Sequence, residues 1–357
     1  MQDEIDLLEH MVAIPSVSGE EEELAVFAEA TAHSWGLKVR RDEFAVTVEV
    51  AGRRLGPTLA LVSHLDVVPP GNGWTRDPFK PTVEGTRLYG RGSGDAKASV
   101  SAMLWAARDV AAAGGPETGR LVVILGYGEE TKHTTMERAV ETVGTIEAAV
   151  VGEPTNLDFA IAQRGLMMVD LLAEGDQRHA GYAAADGEFR NAVLVLARDL
   201  LKLDGLFAER AHPVLGHTTA TPTMLDAGVS RNVTPPVAKA ILDIRSTPDW
   251  THEEVADVLR RSLTSHVVVT SQRLVPCETP GGSRLLSVAR RIRPEAKAFG
   301  SPTCSDWVFL RHTDAVKCGP GTSRRSHTPD EYVDLPEVTA ARAFYSALVL
   351  AYLGEGE

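Results

Sequence analysis

Apolar residues over 5–35 recur at helical spacing, with a break at Ile14-Pro15-Ser16-Val17-Ser18-Gly19, after which the acidic run 20–23 opens a second helix. Three short apolar runs then stop abruptly in polar residues: 58–63, 121–125 and 148–151. Runs this short and this continuously apolar predict strands buried on both faces of a sheet. Between the first two, the alanine-rich stretch 98–113 carries Met103, Leu104 and Trp105 and ends in Gly114-Gly115-Pro116, which predicts a helix. Strands alternating with helices predict an α/β domain with helices over its sheet. Ligands of such sheets gather beyond the carboxyl ends of the strands.

The pattern changes near Gly165. Strand, helix, strand, strand, helix and strand signals follow at 165–173, 191–203, 219–228, 237–244, 252–263 and 267–270. The order β-α-β-β-α-β predicts a split, ferredoxin-like α+β unit. α/β character resumes with a strand at 315–318 and a closing helix at 336–353, so the unit is an insertion. The expected fold class is an α/β domain with a mixed sheet covered by helices, built from 1–164 and 276–357, into which 165–275 is inserted.

Composition narrows the function. Thirty-six Lys and Arg against 49 Asp and Glu leave a net charge of −13, a field that repels phosphate backbones and anionic lipid. No nucleic-acid or membrane partner is expected. Cys277, Cys304 and Cys318 are an odd set without C-x-x-C spacing, so neither a disulfide framework nor a cysteine zinc site is predicted. The acidic start Met1-Gln2-Asp3-Glu4 has no signal-peptide character, and no apolar run approaches the roughly 20 residues that span a bilayer. These features read as cytoplasmic.

Chemistry-bearing residues fall where the sheet would collect a site. His64-Leu65-Asp66 ends the first buried run; a histidine there can ligate a metal while the aspartate holds its other ring nitrogen, although one H-x-D also arises by chance. Gly90-Arg91-Gly92-Ser93-Gly94-Asp95-Ala96-Lys97 is glycine-rich, but Asp95 breaks the G-x-G-x-x-G spacing of a dinucleotide loop. Gly128-Glu129-Glu130 and Gly152-Glu153 follow the next two strands, and Ser326-His327-Thr328-Pro329-Asp330-Glu331 follows a glycine turn. Each has an ordinary surface reading. Together, two histidines and three carboxylates exceed one tetrahedral site and suit two ions about 3.5–4 Å apart that share a carboxylate.

Taken in order, these motifs make the chain resemble the metallopeptidase-type deacylase family that includes acetylornithine deacetylase, succinyl-diaminopimelate desuccinylase, aminoacylase and glutamate carboxypeptidase. The likeness runs from Ile14-Pro15-Ser16-Val17-Ser18-Gly19 through Ser63-His64-Leu65-Asp66-Val67-Val68-Pro69 to His327-Thr328-Pro329-Asp330-Glu331. It implies His64 and Glu153 on one metal, Glu130 and His327 on the other, and Asp95 bridging them. Glu129 would be the general base, Asp66 would orient His64, and the Asp95-Ala96 peptide would be cis. The inserted unit would be a lid and dimerisation domain, with His179 reaching the partner subunit's site. Arg164, Asn232 and Arg245 match substrate contacts, and Cys304 stands where many relatives place threonine. Departures from the family pattern are Ala98-Ser99 and Thr131-Lys132-His133-Thr134-Thr135.

The implied activity is hydrolysis of a small N-acyl amino acid by a homodimer that binds two divalent ions per chain, Zn first and Co or Mn next. N-acetylornithine is the leading substrate. Succinyl-diaminopimelate, a dipeptide, or lysine or ornithine on an acidic carrier protein are the alternatives, the last helped by Arg290-Arg291-Ile292-Arg293. A binding protein that had kept the fold and lost turnover would have no use for Glu129 beside the ligands.

Overall fold

The computed structural model describes residues 3–131, 133–182 and 189–354. The chain divides into two compact units, one of Met1–Ile161, Glu278–Phe299 and Ser305–Glu357, the other of Ala162–Cys277 and Gly300–Cys304. The short stretch Gly300–Cys304 thus groups with the inserted unit, where the sequence reading had the larger domain resume at 276.

In the larger unit the sheet runs Lys38–Arg41, Ala45–Ala51, Thr118–Gly126, Arg54–His64, Ala148–Val151, Asp314–Lys317 and Phe159–Gln163. The four strands from Thr118–Gly126 to Asp314–Lys317 are parallel neighbours, flanked by antiparallel pairs, so the sheet is mixed. The apolar runs are those buried parallel strands: Leu59 to His64 and Leu121 to Gly126 are buried throughout, as is all of Ala148–Val151. Helices Lys97–Ala112 and Leu335–Gly354 pack on the sheet and on each other, and Leu104, Val110, Phe344 and Leu348 join Val123, Leu61 and Val150 in one core. Sequence reading has no element between 36 and 57. Charged Lys38, Arg40, Arg41 and Glu49 interrupt the apolar pattern of what is an antiparallel strand pair.

The smaller unit holds four strands in the order Thr219–Ala227, Val237–Ser246, Gly165–Glu174 and His266–Leu274, every neighbouring pair antiparallel. Helices Ala192–Lys202 and His252–Ser262 carry its core, and burial alternates along Gly165–Glu174 as expected for a sheet with one covered face. This is the ferredoxin-like arrangement. Asn191 and Thr251 cap the two helices, the latter in a capping box with Glu254.

Candidate metal centre

Parallel strands point their carboxyl ends to one edge, and the register sets the depth of each side chain there. His64 pairs with Gly126, and Val62 with Val151, so Glu153, two residues past Val151, comes level with His64. Gly152 is small for a reason. A Cβ on it would lie 2.4 Å from the Met103 methyl and 2.9 Å from the Ser99 Cβ, because helix Lys97–Ala112 passes directly beneath. The departure Ala98-Ser99 therefore contributes a packing residue under the Glu153 turn, and both side chains are buried.

Asp95 enters at the start of that helix, from a loop whose Asp95-Ala96 peptide is cis. His327 comes from a loop just ahead of strand Tyr332–Asp334, which pairs with Arg87–Tyr89, just ahead of the Asp95 loop. This small sheet clamps the two loops together. His64 Nε2 lies 3.3 Å from Asp95 Oδ1 and 3.8 Å from Glu153 Oε1. His327 Nε2 lies 3.0 Å from Glu130 Oε1 and 3.8 Å from Asp95 Oδ2. Each oxygen of Asp95 thus faces a different histidine–glutamate pair.

Electrostatics test whether cations suit this cluster. Burial, then the charge of Glu153, raises the Glu129 carboxyl well above its ordinary range. Burial, then Asp95, pushes Glu153 up to about 7. Burial works against a charged His64, yet Asp66 and Asp95 raise its imidazole well above the usual value. Four carboxylates crowd around two imidazoles at the edge of the sheet, with His64 and Glu129 buried and the His327 side chain 51% exposed, and this many carboxylates exceed what two imidazolium charges can balance. Two divalent ions bound by nitrogen and oxygen donors would remove the excess; the donor set fits.

Asp66 does more than meet His64. His64 Nδ1 sits 3.0 Å from the Asp66 backbone oxygen and 3.4 Å from its Oδ1. The same carboxylate accepts the backbone N–H groups of Glu129 and Glu130, each at 3.0 Å, and the Ser18 hydroxyl at 2.7 Å. Burial opposes its charge, but the hydrogen bond and charge of His64, the Ser18 hydroxyl and the Glu130 N–H together outweigh it and hold the Asp66 carboxyl down to about 2. One side chain therefore fixes the histidine and the glutamate pair together. Ser18 reaches it because the Ile14-Pro15-Ser16-Val17-Ser18-Gly19 loop lies along Val67 through backbone hydrogen bonds.

Sequence models place the chain among known proteins. The model of Peptidase family M20/M25/M40 matches residues 60–351. The chain belongs to that family. It is 29% identical to the succinyl-diaminopimelate desuccinylase of Xanthomonas euvesicatoria pv. vesicatoria, with 84% of this chain and 85% of the relative covered. Succinyl-diaminopimelate desuccinylase 2 of Ruegeria sp. is likewise 29% identical, at 99% and 95% coverage. Among solved structures, an M20 family metallo-carboxypeptidase from Sulfolobus solfataricus matches with a TM-score of 0.80 at 18% identity, covering 99% of this chain and all 100% of its own. A dinuclear metal binding peptidase of the M20 family from Bacillus subtilis matches with a TM-score of 0.76 at 15% identity, covering 97% and 96%. Those two likenesses establish the fold, and family membership makes the chain a metal-dependent amidohydrolase.

This M20 hydrolase holds its site with charged residues that flank the ligands within their motifs and meet one another across the fold. The Glu331 carboxylate accepts the backbone N–H groups of Gly92, Gly94 and Asp95 at 3.0–3.2 Å and the Arg91 guanidinium at 2.6 Å. Nothing in sequence links positions 91 and 331. Lys97 is buried and donates to the carbonyls of Met11 and Ile14, tying the first helix to the same loop; burial pushes its ammonium down to about 7. Arg91 and Glu331 are each 1% exposed, so Arg91→Met would strand a buried carboxylate. Chemical denaturation is expected to show a loss of about 3–5 kcal/mol. A loss under about 1 kcal/mol would mean that the backbone donors suffice without Arg91.

The remaining predicted residues lie in the inserted unit. His179 and Asn232 are brought side by side: His179 bridges Val233, Ala180 donates to the Asn232 carbonyl, and Thr234 donates to the Arg178 carbonyl. Gly181 N–H donates to His179 Nδ1 at 3.1 Å, which leaves the ring proton on Nε2. Arg164, expected as a substrate contact, meets groups of its own unit. Its guanidinium donates to the carbonyls of Leu215, His217 and Arg245, bracing a loop of its own unit. Arg245 is held by Asp243 through two hydrogen bonds of 2.7 and 3.0 Å. Cys304 and Cys277 both lie near the Gln163 amide, at 3.9 and 3.8 Å. Of the second departure, Lys132 lies outside the described residues. No described helix is long and apolar enough to cross a membrane.

Proposed function

We propose that this M20-family hydrolase cleaves the amide bond of a small N-acyl amino acid with two divalent ions, and that N-succinyl-diaminopimelate is its substrate ahead of N-acetylornithine. The two-sided placement of Asp95 carries the two-ion reading, with His64 and Glu153 on one ion and Glu130 and His327 on the other. Substrate preference rests on the relatives named above. The sequence places N-acetylornithine first, whereas the two sequence relatives named above, both succinyl-diaminopimelate desuccinylases, favour the alternative.

When bound, the ions supply Lewis acidity at the scissile carbonyl and lower the cost of deprotonating the attacking water, with Zn first and Co or Mn as alternatives. Glu129 takes that water's proton as its oxygen attacks the carbonyl carbon. The same carboxyl returns the proton to the leaving nitrogen as the C–N bond breaks, which yields a carboxylic acid and an amine; the acid's proton then passes to the amine, leaving a carboxylate and an ammonium. Asp66 keeps Glu129 and Glu130 in register by holding their backbone. His179 donates Nε2–H to the oxyanion, Asn232 beside it adds a contact to the acyl group, and Cys304 lines the pocket. Arg245 meets a substrate carboxylate only by exchanging it for Asp243.

A homodimer through the inserted unit completes the reading. Edge strand Thr219–Ala227 leaves Met224 64% and Leu225 65% exposed, and an apolar edge of this kind invites a second copy.

The test is a panel of N-succinyl-diaminopimelate, N-acetylornithine and a dipeptide, assayed after chelation and after adding back Zn, Co or Mn. N-succinyl-diaminopimelate is expected to give a kcat/KM at least about tenfold above the others, with no turnover before metal is restored. A higher value for N-acetylornithine overturns the substrate, and hydrolysis that ignores chelation overturns the mechanism.

A further inference from the structure

A second cluster lies against Glu129, built from residues that none of the ligand motifs contains. His133 Nδ1 is 3.1 Å from Asp306 Oδ1 and 3.6 Å from Glu129 Oε1. One donor atom from each of the three side chains falls within 4.8 Å of the others. Glu129 and Asp306 are both buried, and the His133 side chain is 12% exposed. The local chain explains how His133 gets there. Gly128 turns at φ +64°, the N–H groups of Thr131 and His133 both return to the Gly128 carbonyl, and His133 itself adopts φ +47°. Helix Thr135–Val143 starts at once, held by the Thr135 hydroxyl on the Tyr127 carbonyl, and packs against the short turn Asp306–Leu310. The stretch that departs from the family pattern after the paired glutamates is thus the stretch that delivers an imidazole to the base.

Glu129 needs such a neighbour. Its backbone is pinned by Asp66, but a glutamate side chain has three further torsions, and close by lie ligand positions that any free carboxylate would seek. On its other flank Asp306 repels it. We infer that His133 and Asp306 are positioning residues for Glu129: the imidazole donates Nδ1–H to Asp306, sets its positive edge against Glu129 Oε1, and so separates two buried carboxylates while holding the base off the ligand set. The inference rests on Glu129 being the proton-transfer group. Misplacing such a group by about 1 Å costs on the order of 100-fold in rate.

Four variants test it on the amide that turns over best in the panel above: His133→Ala, His133→Asn, Asp306→Asn and His133→Ala/Asp306→Asn, with Glu129→Gln as the reference. His133→Ala is expected to lower kcat by about 30–100-fold, with KM within about threefold and two ions still bound by elemental analysis. His133→Asn, whose amide N–H falls close to the Nδ1 position, should recover most of that loss. Asp306→Asn removes the charge that His133 screens, so the double variant should be about tenfold faster than His133→Ala alone. A purely structural role would instead lower ion content and melting temperature together, and His133→Asn would not rescue it. The inference is overturned if His133→Ala keeps its kcat within about threefold, if it loses metal, or if the double variant is no faster than His133→Ala. If any of these occurs while Glu129→Gln is inactive, the base assignment stands and only the positioning pair fails; an active Glu129→Gln overturns both.

Discussion

Glu129→Gln is expected to keep two divalent ions per chain and to lose about 10³–10⁴-fold in kcat. The amide has the size of the carboxyl and can still accept a hydrogen bond, but it cannot take a proton from water. Glu129 makes none of the histidine contacts that bind Glu130, Glu153 and Asp95 into one cluster, and its backbone N–H stays on Asp66 in the variant. Ion binding should therefore survive. Asp95→Ala gives the opposite pattern. Its two oxygens face His64 and His327 separately, so both ions should be lost after gel filtration into chelator-free buffer, and turnover with them. Elemental analysis beside steady-state kinetics separates the cases. Glu129→Gln protein that arrives metal-free, or Asp95→Ala protein that keeps both ions, would exchange the roles given to these two side chains.

The elements that position the cluster were legible because they are the most apolar in the chain. Ala148–Val151 and Lys97–Ala112 stand within a residue of where the hydrophobic pattern puts them, since a strand or helix buried on every side has nothing but burial to encode. His64, the Glu129-Glu130 pair and Glu153 were visible for a related reason: a polar residue that ends such a run has to sit at the sheet's edge. The ferredoxin-like insertion announced itself through strand and helix spacing, and its sheet order follows from the connections.

What sequence hid is long-range and polar. Arg91 with Glu331, Lys97 with Met11 and Ile14, and His133 with Asp306 join positions from 83 to 240 residues apart. No periodicity marks such pairs, because each depends on where a loop returns and not on which face of an element is buried. Arg164 and Arg245 show a partner that sequence could not name. An arginine beside a predicted site reads as a carboxylate clamp, yet the guanidinium of Arg164 is taken up by three carbonyls and that of Arg245 by Asp243. Five donors on one flat group satisfy a loop as readily as a ligand.

The proposed sharing of His179 between subunits leads to a second large effect. His179→Ala is expected to lose roughly 100–1,000-fold in kcat, the range seen when one oxyanion donor is removed. Its Nδ1 is occupied by the Gly181 N–H, so Nε2–H is the donor at stake. Glu129 belongs to the larger unit and His179 to the smaller, and in a two-fold dimer a site can draw its base from one chain and its oxyanion donor from the other. Each single variant is then nearly inactive by itself. In a heterodimer of His179→Ala and Glu129→Gln chains, one site collects both defects and the other collects neither. Equal mixing makes about half of the dimers mixed, so activity should return to about a quarter of wild type after co-refolding. A histidine that serves its own chain leaves no intact site in any combination, and mixtures that stay inactive once heterodimers are separated and weighed would exclude the shared site. Recovery to near a quarter, absent from either parent, requires that the donor cross the dimer axis.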